Sequence, residues 1–472
     1  KTTDSKLVKS FVIGFCAGVI GLLVNAILID VFEASKIAFI LWILSGVTVG
    51  VLSKYQTKEF NLFSEIKKIV FSTYAIIIYL FIISWLLFSQ VLNSYFVGDD
   101  FTWLRWAASC SQNCNILSTI TSYFTDSNGF FFRPGAKIYF LVMYSTFWLN
   151  QVMYHLVSLL LHFAVSAIFF LVARKIFNNN ILGFIAAGLF LTLSGSSEGV
   201  FWISTTGYLF TTFFGLLSLL FFILWEEKKK FFYFLLVFIF LSAALLFHEL
   251  GIVFPLLLLA YKVTLGGVRQ FNLSLFIPNA IYLIIRLASN SHWLSGDYSY
   301  DLLKLPFNII GNSIGYLGLT LIGPSTIPLY NVLREISRSN IVIALIVTPV
   351  LLLGLILIYK FVFKNLDATD RKIAFFGLSF FIITLLPFLG LGNIASRYSY
   401  AASLGAVILL VLFIKKIYGY LESSGKEIAL GALAVFIIVF SLFHIIQIQQ
   451  SYFDWMDAGG RTKKFFISFD SL

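Results

Sequence analysis

Two adjacent carboxylates, Asp99 and Asp100, follow Gly98 at the end of a long apolar run. Such a pair can take a proton as a general base, hold a divalent metal, or cap the helix that starts after it. Adjacent like charges raise the pKa of one member, and partial burial raises it further. Arg133, within Phe131-Phe132-Arg133-Pro134-Gly135, and Arg397, within Ser396-Arg397-Tyr398-Ser399-Tyr400, are fixed cations at the edges of apolar runs. The planar guanidinium fork suits both to phosphate; the plainer role is snorkelling to a lipid headgroup. His248-Glu249-Leu250-Gly251 places Ile252 where H-E-x-x-H needs its second histidine, which excludes that kind of metalloprotease. His155 and His162 are seven apart and share one helix face, a spacing that favours an interior polar face over zinc. Glu198 is open between an outer-loop carboxylate and a cavity residue. Cys110 and Cys114 can pair in an oxidising compartment or stand as free thiols.

The elements that must position these residues are membrane helices. Of the 472 residues, 59% are hydrophobic and 12% charged, which excludes a soluble globular domain and a disordered chain. Apolar runs predict 13 spans: 11–30, 36–53, 68–92, 150–173, 181–194, 206–225, 231–247, 250–262, 272–289, 340–361, 373–391, 398–415 and 426–446. The net charge of +11 reflects basic residues in the short loops between them, a topology signal and no nucleic-acid footprint. With the N-terminus inside, 21 of the 33 Lys and Arg fall on inside segments, as the positive-inside rule requires. The expected organisation is two additional N-terminal spans in 1–67, a body over 68–446 with outer loops 93–149 and 290–339, and a short external tail over 447–472. Lys228–Lys230 and Lys262 both lie on the inside, so 231–262 reads as a hairpin. Its arms of 17 and 13 residues reach only about 25 and 20 Å. His248 and Glu249 are then recessed below the outer surface, where ionisable groups are costly and usually functional.

The ordered set of motifs resembles the GT-C superfamily of polyprenyl-phosphate-sugar glycosyltransferases, and within it the transmembrane-and-tetratricopeptide O-mannosyltransferase family. Asp99-Asp100 matches the acidic pair of the first outer loop. Phe132-Arg133-Pro134, Tyr154-His155-Leu156 and Leu161-His162 match the F-R-P, Y-H-x-x-N and L-H run. Glu198-Gly199-Val200-Phe201-Trp202-Ile203, Glu249-Leu250-Gly251-Ile252 and Arg397-Tyr398-Ser399-Tyr400 match later elements, and Trp455-Met456-Asp457 resembles the lead into the family's external repeats. The chain departs from the pattern at His248 (Lys in the family), Ser396 (Glu) and Ser158 (Asn), and no tetratricopeptide array follows within these residues.

The resemblance implies an all-α polytopic GT-C bundle with a helical first outer loop. It implies transfer of a sugar, favouring a mannose-like hexose, from a polyprenyl phosphate to a protein or glycan acceptor on the extracytoplasmic face. The implied membrane is the cell membrane, or the endoplasmic reticulum in a eukaryote. Asp99 is then the general base and Asp100 its orienting neighbour, or with it the ligand of a divalent metal if one is used; no cofactor is required. Arg133, Arg397 and His248 hold the leaving phosphate, and Glu249, Glu198, His155 and Tyr398 line the cavity. A lipid-linked-sugar flippase and an inactive scaffold subunit with membrane-protein partners are the rival readings. A flippase has no need of the acidic pair, whereas the His248 and Ser396 departures favour the scaffold.

Overall fold

The computed structural model describes residues 14, 18, 43–48, 69–109, 115–267, 273–291, 300–339, 349, 353, 360 and 366–470. The chain divides into two compact units, 1–71 and 72–472. The spans expected at 11–30, 36–53 and 340–361 fall largely outside the described residues, and Cys110 and Cys114 lie outside them.

Among the described residues of the second unit every regular element is helical. It opens with α1 (Thr73–Phe88), then α2 (Asp100–Ala108), α3 (Ile116–Thr125) and α4 (Pro134–Phe147), followed by α5 (Gln151–Phe177) and α6 (Asn180–Thr192). A 59° bend after α6 leads into the Ser194–Phe201 stretch, which contains the short α7 (Ser197–Phe201). Then come α8 (Thr206–Lys228), α9 (Phe231–Phe247), α10 (Phe254–Thr264), α11 (Ile277–Ala288), α12 (Leu305–Leu321) and α13 (Thr326–Ser339). The unit closes with α14 (Ala368–Leu389), α15 (Tyr400–Leu421) and α16 (Lys426–Asp470).

Six described helices are long and apolar enough to cross a membrane, or seven if the bent pair counts as one span. The count of 13 is therefore met only in part. The run 250–262, too short to cross as an arm of the expected hairpin, holds an 11-residue helix, and the expected outer segment 290–339 carries the helices α12 and α13. Hydropathy registers an apolar run but does not distinguish a crossing helix from a short one buried among others. The helix of the expected span 426–446 continues beyond it as one 45-residue helix, Lys426–Asp470, about 68 Å long.

Local chemistry sets the joints. Asn178 ends α5 in the left-handed conformation, and the Asn179 side chain caps α6 by accepting from the backbone of Ile181 and Leu182. At one end of the bundle the helices are tied by Lys175–Glu227 at 2.6 Å, Glu226 with Lys229 at 2.6 Å and Lys262 at 3.2 Å, and Lys415–Asp370 at 2.5 Å. The acidic pair, Arg133, Glu249 and Arg397 lie at the ends or beginnings of helices that meet at the opposite end. Within the bundle, a buried asparagine is matched to carbonyls at a helix end. The Asn312 side-chain amide donates to Leu389 O and Leu391 O at 2.9 and 3.0 Å, closing the frayed end of α14.

Helices α14 and α15 approach through facing glycines, Gly377 and Gly405. A Cβ on Gly405 would stand 2.4 Å from the backbone nitrogen of Phe381 and 2.7 Å from the carbonyl of Gly377. Backbone cannot swing aside, so Gly405→Ala is expected to destabilise by about 1–3 kcal/mol. Gly419→Ala on the same helix meets nothing within 4 Å and should be neutral or slightly stabilising. Thermal unfolding of the two variants in detergent makes the comparison.

Candidate functional site

The acidic pair sits on a tight turn. Gly98 has φ +53°, the left-handed conformation that side chains resist, and it lets the chain reverse before α2. The turn separates the two carboxylates. Asp100 is buried: Oδ2 accepts from the Val97 amide at 2.9 Å, and Oδ1 from the Ser204 amide and hydroxyl at 2.7 and 2.5 Å. Asp99 is exposed, does not cap α2, and its carboxylate accepts no hydrogen bond among the described residues. Asp100 is thus a clasp holding the turn to the segment before α8, and Asp99 is the carboxylate presented to the surroundings. With both Asp100 oxygens occupied, the pair does not offer the two open carboxylates a shared metal needs. No group of three His, Cys, Asp or Glu suited to a metal assembles among the described residues.

Burial pushes Asp100 from 3.8 up to about 6, against the pull of its bonds from Ser204 and Val97, and the Asp99 charge adds to the rise. The folded value lies above the unfolded one, so between about pH 4 and 6 the native chain holds a proton the unfolded chain has lost. Stability then falls as pH rises through that window, and above it the ionised group costs about 3 kcal/mol. Unfolding midpoints should therefore rise as pH is lowered from about 7 to 5. Asp100→Asn should remove that slope, and an unchanged slope in the variant would assign it to another group.

Residues 198–204 form the hub. Glu198 takes the Arg397 guanidinium at 2.6 Å through Nη1 and the Arg397 backbone amide at 2.9 Å, so one carboxylate fixes both the side chain and the main chain of that arginine. Trp202 serves both sides. Its indole N–H donates to Val97 O at 3.3 Å, and the Arg397 guanidinium lies 5.2 Å from its ring centroid. Tyr398 stacks on Phe388 at 4.4 Å and packs under the same guanidinium at 4.8 Å.

The second half of the cluster hangs on Glu249, at the break between α9 and α10. Arg133 binds Glu249 Oε2 through Nε and Nη2, both at 2.8 Å, while Arg286 Nη1 stands 3.7 Å from Oε1. His248 Nδ1 accepts from the Leu250 amide at 3.0 Å, which puts the proton on Nε2, a buried donor with no hydrogen-bond partner among the described residues. The His248 ring lies 4.0 Å from Tyr208, which in turn packs 6.1 Å from Tyr398. The charges of Arg133, Arg286 and Arg397 all bear on His248, which joins the two halves. Three guanidiniums against Glu198 and Glu249 leave one positive charge in excess.

Of the residues singled out by sequence, Asp99, Asp100, Glu198, Arg397, Tyr398, Arg133, His248 and Glu249 gather at one end of the bundle. His155 does not join the cations. It is buried in α5 against the backbone of Ser94, under the acidic turn. Sequence reasoning passed over Arg286 and Ser204, and it gave Trp202 no role beyond its place in the Glu198–Ile203 motif. A cation inside an expected span, as Arg286 is within 272–289, was the signal available for the first; nothing local marks Ser204. Lys137 was also missed. It is buried on α4 with its ammonium 4.3 Å from the Trp106 ring and 5.6 Å from Tyr123, and burial lowers its pKa to about 8. No family model and no curated protein sequence matches the chain, so the function of this cluster is read from its own geometry.

Proposed function

We propose that the protein is an integral-membrane glycosyltransferase that moves a sugar from a polyprenyl phosphate to an acceptor hydroxyl by inverting displacement. The observation that carries this reading is an exposed, hydrogen-bond-free Asp99 beside a cation cluster of net charge +1, the two linked through one indole, Trp202. A mannose-like hexose is the favoured sugar, on the resemblance alone, and a protein or glycan is the acceptor. The positive-inside distribution of Lys and Arg supports an extracytoplasmic position for the cluster.

In the reaction, the acceptor oxygen attacks the anomeric carbon as Asp99 takes its proton. The bond from that carbon to the phosphate oxygen breaks, and the electron pair leaves with the phosphate. A phosphodiester of charge −1 becomes a monoester approaching −2, so negative charge grows where Arg133, Arg286, Arg397 and the His248 Nε2–H stand, and stabilisation there lowers the barrier. Glu249 and Glu198 hold the forks of Arg133 and Arg397 in place beforehand, which reduces the reorganisation needed during the reaction.

Purified protein in liposomes with a radiolabelled polyprenyl-phosphate sugar and a hydroxyl acceptor tests the reading. Acceptor-dependent release of the free polyprenyl phosphate is expected. Movement of the intact lipid-linked sugar across the bilayer without cleavage would establish the flippase instead, and binding without either would establish the scaffold.

A further inference from the structure

The distal half of α16 runs alongside the acidic turn, touching it at two places and its partner Trp202 at a third. Gly459 lies against the backbone of Tyr95, so closely that a Cβ there would be 2.9 Å from both its nitrogen and its oxygen. Phe466 packs 5.0 Å from Phe101, on the other side of the acidic pair. Trp455 packs 5.6 Å from Trp202, the indole that joins the turn to Arg397. The same helix is anchored deeper in the bundle, where Ile448 and Tyr452 share a buried cluster with Phe88, Val200 and Phe201. Residues before, after and across from Asp99 are therefore all braced by one rigid element.

We infer that Trp455, Gly459 and Phe466 of α16 shape the transfer site, and that Gly459 is a positioning residue whose missing side chain sets how far Asp99 stands from the cation cluster. The inference rests on the reading of Asp99 as the base. Beneath the turn, α5 meets Phe96 through Tyr154 at 5.2 Å, and Asp100 and Trp202 clasp it to residues 202–204; α16 is the long helix that meets it at Tyr95 and Phe101, on either side of Asp99. Carbon contacts settle at 3.5–4.0 Å, so an alanine at 459 would push α16 and the turn apart by at least about half an ångström. Displacements of about that size and larger are what degrade catalytic alignment.

A neighbouring glycine supplies the control. Gly460 is in the same helix, and a Cβ there meets nothing within 4 Å. Gly459→Ala and Gly460→Ala in the full chain change the same chemistry and gain the same helix propensity. Gly459→Ala is expected to lower kcat about 10- to 100-fold with the KM for the polyprenyl-phosphate sugar nearly unchanged, because the arginines are not on α16. Gly460→Ala should match wild type. Amide hydrogen exchange over 95–101 should quicken in the first variant and not in the second. Phe466→Ala, a half-exposed ring whose loss leaves the core intact, should lower kcat in the same sense. Equal kcat for the two glycine variants, or a loss of Gly459→Ala activity carried by KM, would overturn the positioning role. Wild-type protein that performs no transfer would instead overturn the reading on which it rests.

Discussion

Replacing Asp99 with asparagine is expected to lower the rate of sugar transfer by about 10²- to 10⁴-fold, the usual contribution of a positioned proton acceptor. The amide keeps the size and polarity of the side chain but cannot take a proton at neutral pH. Because Asp99 is exposed and caps nothing, the substitution should leave thermal stability and donor affinity at wild-type values. Asp100→Asn should behave in the opposite way. Its amide would set an N–H donor against that of Val97 or Ser204, so stability and the fixed shape of the turn should suffer first. Turnover, donor binding and unfolding temperature measured on both purified variants separate the roles. Wild-type turnover in Asp99→Asn would remove it as the base, and loss confined to Asp100→Asn would transfer the role to that residue.

The second large effect concerns the arginines. Arg133→Lys and Arg397→Lys should each lower kcat/KM by roughly 10- to 150-fold, the equivalent of one charge-assisted hydrogen bond to the phosphate. Lysine is the informative replacement. Alanine at 133 would leave Glu249 largely buried opposite a lost partner, a defect costing about 3–5 kcal/mol by itself. If both forks serve one phosphate, the double variant should lose less than the product of the single losses, as groups acting on one charge do. A fully multiplicative loss would mean two cations that act independently and not on one phosphate. Arg286→Lys, tested in the same series, is expected to couple with Arg133 through Glu249, which stands between them.

Much of the frame was legible in the sequence. Apolar runs of twenty or so residues located the long helices, since a helix must be apolar to lie in hydrocarbon and its length follows from the bilayer. The break at His248-Glu249 was legible as well, because cationic ends on both sides of 231–262 and arms too short to cross required a hairpin turning below the surface. What the runs did not reveal was which short ones pack inside the unit. The 250–262 run, the second arm of that hairpin, holds an 11-residue helix, and the described part of 290–339 is mostly helical. Hydropathy is blind to that difference, because a buried helix and a lipid-facing one are equally apolar.

For the site, residue type and local order determined that a carboxylate pair, two arginines and a recessed His-Glu pair had to be accounted for. Those facts are local: charge placed beside or within an apolar run is expensive, and the expense marks it. Tertiary structure alone decided how they divide. Asp99 and Asp100 are identical in chemistry and adjacent in sequence, yet Ser204, more than 100 positions away, occupies one and leaves the other open. Glu198 was undecided between a surface loop and the cluster until Arg397 met it, and Arg286 passed for part of a span until α11 brought it to Glu249. The distal part of α16 read as a tail because its aromatic and glycine residues have meaning only against Tyr95, Phe101 and Trp202. Pairing across such distances depends on how helices pack, and packing is set by the summed surfaces of many residues, which no short stretch of sequence contains.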